Sequence, residues 1–331
     1  MTVKVPWRRL LPAVISLAII GIAGVILVRT LSTLDPAAVL RQFEATPGIA
    51  LALAIGLSVL AYGALAAYEV AMLRYVGATM PAWRPFLTSL VAYPLGHAIG
   101  FGALSGGAVR YRFYAAAGLP ALDIGKVVVL SAMPYAAGLG LLCGISLLLW
   151  SAEAAPLLNL TPGAAQAIGA SLVVSHALYV GLVLRWRRPL KLKSVTLELP
   201  SPRMTWLQYL AGLADVLCAV GVLYVLLPDS LQLGFAPFVA VYVIAILAGL
   251  LSSVPAGLGV FESMMLLMLR DQPADAVLGA VLAYRLAYEL VPFAWGLLLF
   301  LCLELPGRRR QPAASPAPGS SMGAIVRRRR P

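Results

Sequence analysis

The chain has 331 residues, of which 61% are hydrophobic and 11% are charged, and its mean hydropathy is +0.91. In soluble domains about a quarter of the residues are charged, so this composition excludes an ordinary soluble protein and indicates a polytopic membrane protein. The apolar runs are too continuous for the alternating strands of a β-barrel and predict an all-α bundle. A net charge of +12 would suit nucleic-acid binding, but the basic residues lie in short loops and near the chain ends, as membrane topology requires.

Uncharged runs long enough to cross a membrane recur along the chain. The first, Leu10–Val28, is too long for a signal peptide and is followed by Arg29 without a cleavage site, so we expect a retained helix. The further predicted spans are Gly48–Tyr68, Val127–Ala152, Gly163–Leu184, Met204–Pro228, Phe235–Ser252 and Ala276–Leu303. With a short helix after Pro255 they predict about eight transmembrane helices within residues 1–305. Residues 306–331 form a basic tail that we expect to be disordered.

The run Phe86–Val109 is interrupted by glycine and proline and does not fit a simple crossing. If it crossed, the following Arg110 and Arg112 would lie outside and the loop containing Glu153 inside, against the bias of basic residues toward the cytoplasm. A re-entrant segment over residues 86–109 instead places every basic loop in the cytoplasm. We therefore predict a bacterial inner-membrane protein with several spans and with both termini in the cytoplasm.

A second interruption falls within the apolar sequence of the C-terminal half. Pro255, Gly257 and Gly259 predict a broken helix over residues 253–270, in which the part from Ala256 to Leu269 is helical and Glu262 lies near its middle. Broken helices at membrane depth are tolerated where they line a cavity or are buried in protein. One such segment in each half of the chain is typical of a transporter with a site between two pseudo-repeats.

Five ionisable residues lie within the apolar runs, where each costs about 2.5–3.5 kcal/mol on insertion scales and therefore indicates a function or a buried pair. They are Glu69, Asp215, Glu262, Arg285 and Glu289. Arg285 and Glu289 are spaced for a local helical ion pair. Asp215 and Glu262 have no basic neighbour at helical spacing. Each must find a partner on another helix, meet water or be protonated.

The end of the re-entrant segment combines glycines, arginines and tyrosines. Gly106 and Gly107 permit a close backbone approach, and Tyr111 suits the headgroup layer of a membrane. Arg110 and Arg112 offer planar donor forks that suit a phosphodiester. Two plainer interpretations remain open, since these arginines also suit a positive-inside anchor, and together with Glu69 they would snorkel to an interface.

Two motifs carry a resemblance to a known family. They are Ser105-Gly106-x-x-x-Arg110-Tyr111-Arg112-x-Tyr114 with Gly118 following, and Pro255-x-Gly257-x-Gly259-x-x-Glu262. At these motifs the chain resembles the flippase-like transmembrane region of bacterial lysylphosphatidylglycerol synthases (multiple peptide resistance factors), in a stand-alone form without the soluble synthase domain. The resemblance implies translocation of aminoacylated or other phospholipids to the outer leaflet, with Arg112 and Glu262 as headgroup and cavity contacts.

The resulting hypothesis is a lipid translocase or lipid-binding transporter that moves phospholipid, such as aminoacylated phosphatidylglycerol, between leaflets. An accessory or scaffold protein of envelope lipid homeostasis, a carrier of small solutes and an intramembrane enzyme are the alternatives. Ser105-Gly106 and His176 resemble part of a serine protease, but Ala103 breaks the Gly-x-Ser-Gly motif, so no catalytic residue is expected. The sequence shows no metal-ligand spacing and no nucleotide-binding motif, so no metal or cofactor is expected. The partners compatible with this hypothesis are membrane phospholipids, a separate lipid-modifying synthase and further copies of the chain, but not nucleic acid.

Overall fold

The computed structural model describes residues 46–99, 102–186, 190–192, 195–197, 199–227, 233–252 and 257–304, with isolated positions between 14 and 44. Most of the expected first helix, Pro255 and the basic tail over residues 306–331 therefore lie outside the described residues. Within these ranges the chain forms a bundle of helices, and the prediction of an all-α polytopic membrane fold is confirmed.

The elements follow the predicted runs closely. The helices are α1 (Gly48–Tyr75), α2 (Trp83–Ile99), α3 (Gly102–Ala116), α4 (Ala121–Leu149), α5 (Ser151–Leu157), α6 (Pro162–Arg185), α7 (Pro202–Leu226), α8 (Phe235–Leu251), α9 (Val260–Met268), α10 (Ala274–Tyr284) and α11 (Val291–Glu304). A π-helical segment, Arg285–Leu290, joins α10 to α11 and is called the π turn below. Two short antiparallel strands, β1 (Leu190–Leu192) and β2 (Val195–Leu197), form a hairpin in the basic loop before α7 that the sequence did not predict.

Among the described residues, five helices are long and apolar enough to cross a membrane: α1, α4, α6, α7 and the continuous run from α10 through α11. Local sequence signals set where two of them begin. Thr161 accepts a hydrogen bond from Ala164 N–H at 3.2 Å, and Ser201 accepts one from Met204 N–H at 3.2 Å. A proline in the first turn of each helix fits these caps, because the first N–H groups of a helix have no partner within it.

The centre of the bundle is α7, which is the most buried of these five helices, whereas α6 is the most exposed. Glycines bring α4 and α7 into backbone contact. A Cβ placed on Gly212 would lie 1.8 Å from the carbonyl oxygen of Pro134, and one on Gly138 would lie 2.4 Å from the carbonyl carbon of Gly212. Since apolar helices gain little from hiding their surfaces from lipid, such close approach of small residues is a main source of packing energy in membranes.

The interrupted segment of the N-terminal half forms a hairpin. Helices α2 and α3 run antiparallel, so that the carbonyl of Ala92 lies only 2.9 Å from the position that a Cβ of Gly106 would take. With 17 and 15 residues they rise about 25 Å and about 22 Å, less than the roughly 30 Å of a hydrocarbon core. Entry and return on the cytoplasmic side stay a prediction.

A second hairpin occupies the C-terminal half. The glycines Gly249 and Gly257 meet near its turn, and the rings of Tyr242 and Phe261 lie 5.6 Å apart, so α9 folds back along α8. Here the expected helix bounds were wrong, because α9 begins at Val260 and has nine residues, a rise of about 13 Å that cannot cross a membrane.

The position expected for Glu262 was wrong for the same reason. It lies in the first turn of α9 and not near the middle of a longer helix. Gly257 and Gly259 have φ angles of +60° and +80°, a left-handed conformation that glycine adopts readily and that keeps the residues before Val260 out of the helix. The glycine pattern predicts a break in the helix but does not show where α9 begins.

The predicted topology can be tested by cysteine labelling in a background in which Cys143, Cys218 and Cys302 are replaced. Because basic residues favour the cytoplasm, a membrane-impermeant maleimide should label Ala152→Cys in intact spheroplasts. It should label Ala116→Cys only after permeabilisation. Both positions are exposed in the fold, so labelling of both from the same side would contradict the re-entrant segment.

Candidate functional site

The first buried polar cluster joins α1 to α3. Arg110 Nε donates to Glu69 Oε1 at 2.9 Å and Nη2 donates to Oε2 at 2.8 Å, while the Tyr114 hydroxyl donates to Oε1 at 2.7 Å. The side chains of Glu69 and Arg110 are 0% and 2% exposed. The interfacial interpretation is therefore wrong for these two residues, which form a bidentate ion pair inside the bundle.

The glycines of α3 make room for this pair. The guanidinium of Arg110 lies 4.5 Å from the ring centroid of Tyr93 on α2, a cation–π contact. A Cβ on Gly106 would come within 2.9 Å of Arg110 Nη1, and one on Gly107 within 3.1 Å of a Val128 methyl group on α4. The N–H groups of Arg110 therefore donate to Glu69, and the face of its guanidinium packs on Tyr93. Neither is available to a lipid headgroup.

Arg112 lies two residues further along α3, on the other side of the helix. Its Nη2 donates to Glu304 Oε2 at 2.8 Å, and both side chains are 19% exposed. Glu304 is the last residue of α11, so this pair ties the hairpin to the end of the final helix. Tyr111 is half-buried beside the apolar cluster between α1, α3, α4 and α7.

The second cluster joins α9 to the π turn. Arg285 donates from Nε to Glu262 Oε1, and from Nη1 to Glu289 Oε2 at 2.8 Å. Gly259 N–H donates to the other oxygen of Glu262 at 2.8 Å. Arg285 forms the local pair with Glu289 for which it is spaced, and of the three possibilities left open for Glu262 the structure shows a partner on another element. One cation faces two carboxylates, so the ionised cluster carries an excess negative charge.

The carboxylates of this cluster are its accessible part. Arg285 is 2% exposed, whereas the side chains of Glu262 and Glu289 are 15% and 19% exposed. The Phe261 ring lies 5.5 Å from the guanidinium and covers it further. The arrangement therefore buries the positive charge and leaves both carboxylate side chains partly exposed.

Asp215, in the middle of α7, is the third buried group and is 2% exposed. The Tyr288 hydroxyl lies 2.6 Å from its Oδ1, and the Tyr62 hydroxyl donates to the Tyr288 carbonyl at 3.1 Å. The Tyr284 ring stacks on Tyr288 and its hydroxyl lies 2.6 Å from that of Tyr242. A band of tyrosines therefore surrounds Asp215.

The family described as the lysylphosphatidylglycerol synthase TM region matches residues 13–296. The chain belongs to this family. The uncharacterized protein slr0712 of Synechocystis sp. is 30% identical over 278 residues, covering 82% of this chain and 85% of that protein. The inner membrane protein YbhN of Escherichia coli is 25% identical over 264 residues, covering 79% and 82%. A phosphatidylglycerol lysyltransferase of Staphylococcus haemolyticus is 38% identical over 72 residues, which are 21% of this chain and 9% of that protein. The resemblance drawn from the two motifs is confirmed.

The π turn contributes side chains both to the Arg285 cluster and to the surroundings of Asp215. It carries Arg285, Tyr288 and Glu289 into the bundle, and π-helical turns occur often at functional sites. The sequence analysis missed the buried tyrosines. A signal was present, because Tyr284 and Tyr288 are four residues apart in the same apolar run as Arg285 and Glu289.

The remaining candidate group, His176, takes part in a contact between two helices. His176 Nδ1 lies 2.7 Å from the Tyr209 hydroxyl in the contact between α6 and α7. In the part of the chain that the structure describes, no group of three or more His, Cys, Asp or Glu side chains could hold a metal ion. Among the described residues, the polar groups of the buried clusters are therefore ion pairs, hydroxyl groups and the carboxyl of Asp215, which forms no ion pair.

The Glu69–Arg110 pair should contribute to the stability of the fold and not to ligand binding. Glu69→Gln should lower the free energy of unfolding by about 3–5 kcal/mol, because it leaves a buried guanidinium without its carboxylate. The double variant Glu69→Leu with Arg110→Met should recover most of this loss. Thermal unfolding in detergent measures both.

A surface pair supplies the control for this cycle. Asp123→Asn removes the exposed pair with Lys126, whose atoms lie 2.9 Å apart, and should change the free energy of unfolding by at most about 1 kcal/mol. An equal loss in Glu69→Gln and Asp123→Asn would contradict the structural role of the buried pair.

Proposed function

We propose that the protein translocates phospholipid between the leaflets of the bacterial inner membrane, with aminoacylated phosphatidylglycerol as the substrate class. Family membership supports the lipid connection, since a matching relative is named a phosphatidylglycerol lysyltransferase. The observation that carries the proposal is the cluster of Arg285 with Glu262 and Glu289. Such a cluster, at the start of a short interrupted helix, is a site for the cationic part of a headgroup.

The chemistry of the headgroup matches this cluster. An aminoacylated phosphatidylglycerol carries an ammonium group and a phosphodiester. Two carboxylates held by one guanidinium attract an additional cation, and the low dielectric of the bundle strengthens the attraction. The ammonium group approaches the exposed oxygens of Glu262 and Glu289, while Arg285 stays buried and keeps both carboxylates in place.

The phosphodiester requires a different contact. A helix N-terminus attracts phosphate, but at the start of α9 the N–H of the N-cap residue Gly259 already donates to Glu262. Among the arginines of the two motifs, Arg112 is the partly exposed one, and its partner Glu304 is equally exposed. A phosphodiester can replace that carboxylate on the guanidinium fork. Arg112 therefore receives the phosphate of an entering lipid, and the cluster at Arg285 receives its ammonium group during passage.

Removing one carboxylate of the cluster should lower the rate of transport without lowering the stability of the fold. In Glu262→Gln, Glu289 still neutralises Arg285, so the melting temperature should stay close to that of the wild type. The excess negative charge is lost, and translocation should fall at least about tenfold, equivalent to about 1.4 kcal/mol in the barrier. Dithionite quenching of labelled aminoacyl-phosphatidylglycerol in proteoliposomes measures the rate. Glu153→Gln, at an exposed position of α5, is the matched control.

The double variant completes this test. Glu262→Gln with Glu289→Gln leaves Arg285 without either carboxylate and should cost about 3–5 kcal/mol in stability. If Glu262→Gln alone destabilises the protein as much as the double variant does, Glu262 is structural. A full translocation rate in Glu262→Gln would refute its role in transport.

Arg112 should behave as a phosphate ligand. Arg112→Ala should reduce both translocation and the phospholipid retained in native mass spectrometry, and Arg112→Lys should restore only part, because an ammonium group cannot make the bidentate contact. Stability should change little, since partly exposed ion pairs contribute about 1 kcal/mol or less. Wild-type transport in Arg112→Ala would return this residue to the role of a positive-inside anchor.

A further inference from the structure

Asp215 differs in its partners from the other carboxylates inside the bundle. Glu69 and Glu262 each pair with an arginine, whereas Asp215 takes part in none of the ion pairs found among the described residues. Its one side-chain partner there is the neutral hydroxyl of Tyr288. An ionised carboxylate with one neutral donor in an apolar interior is costly, and an intramembrane ionisable group of this kind indicates a function.

The position of the Tyr288 hydroxyl is compatible with a proton on the Asp215 carboxyl. Its oxygen is 2.6 Å from Asp215 Oδ1 and 3.3 Å from the Asp215 main-chain carbonyl oxygen. A hydroxyl has one hydrogen, so it makes at most one strong hydrogen bond to these two acceptors. If the carboxyl carries a proton, it donates that proton to the Tyr288 oxygen, and the Tyr288 hydrogen points to the carbonyl. Both contacts are then hydrogen bonds.

The surroundings of Asp215 supply no fixed cation but do supply groups that can pass a proton. Those near enough to interact with its charge, apart from Cys218 on its own helix, are Tyr62 of α1, Tyr93 and His97 of α2, Tyr135 of α4, Tyr242 of α8 and Tyr288 of the π turn. On α6, His176 contacts Tyr209, nearer the start of α7.

His97 is a partly exposed titratable group near Asp215. Its ring lies 6.0 Å from that of Tyr62 and 6.1 Å from that of Tyr135, and His97 and Tyr135 are both partly exposed. An imidazole can accept a proton on one nitrogen and donate from the other. Tyr93 lies beside it, with a buried hydroxyl that has no hydrogen-bond partner in the described structure.

We propose that Asp215 is a proton-binding site and that proton uptake and release at its carboxyl drive phospholipid translocation. The transport half of this inference rests on the proposed function, whereas the proton site rests on the geometry around Tyr288. Uptake forms one O–H bond on the carboxylate with a proton from water, and release breaks it on the other side; no electrons are transferred. Because Tyr288 and Glu289 are adjacent, ionisation of Asp215 adds negative charge beside the headgroup cluster and changes its attraction for an ammonium group.

Infrared spectroscopy of the purified protein tests the proton site without lipid transport. The wild type should show the carbonyl stretch of a protonated carboxyl, and Asp215→Asn should lose it. Asp123→Asn, at an exposed carboxylate, should keep it. Tyr288→Phe retains Asp215 but removes its hydrogen-bond partner, so the band should shift in frequency. This variant keeps the test valid if Asp215→Asn folds poorly. A wild-type spectrum without such a band would overturn the proposal.

Proteoliposomes with an imposed pH gradient test the coupling. With one proton per lipid, a gradient of one pH unit is worth about 1.4 kcal/mol and supports up to about a tenfold difference in labelled phospholipid between leaflets. Asp215→Asn should leave the lipid evenly distributed, while Asp123→Asn should behave as the wild type. An even distribution in the wild type would overturn the coupling. If the wild type moves no phospholipid under any condition, the proposed function fails, and the infrared result decides the proton site separately.

Discussion

A guanidinium group can be buried in an apolar bundle only if a carboxylate lies within hydrogen-bonding distance, because the desolvation of an unpaired charge exceeds what packing can offset. Arg110 and Arg285 are each about 2% exposed and each meets this requirement with a carboxylate from another helix. The distance between α1 and α3, and that between α9 and the π turn, are therefore set by charge.

The two ion pairs attach the two hairpins to the bundle in opposite ways. The first hairpin contributes the cation, Arg110, and receives its carboxylate from α1, which precedes it. The second contributes the carboxylate, Glu262, and receives its cation from Arg285, which follows it. A simple repeat would keep the same order in both halves, so these pairs are not equivalent positions of a repeat. The second pair alone has an additional carboxylate, that of Glu289.

The spans could be predicted from the sequence because each is an apolar run of sufficient length with few or no charged residues, and the contact of Arg285 with Glu289 followed from helical spacing. The contact of Glu69 with Arg110 could not be predicted in this way. It joins residues 41 positions apart and depends on how α1 and α3 rotate about their axes. In a soluble helix the polar face reveals that rotation, but α1 is apolar on nearly all sides. Glu262 was misplaced because a glycine pattern shows that a helix breaks and does not show where the next one begins.

The π turn between α10 and α11 has a consequence for the far end of the last helix. A π-helical turn is wider than an α-helical one, so tightening it by one residue would rotate α11 by roughly 100° and advance it by roughly 1.5 Å along its axis. Such a screw motion would carry Glu304 out of register with Arg112. Because Tyr288 lies within the turn and touches Asp215, a change of a single hydrogen bond in the middle of the bundle is geometrically linked to the opening of an ion pair at its edge.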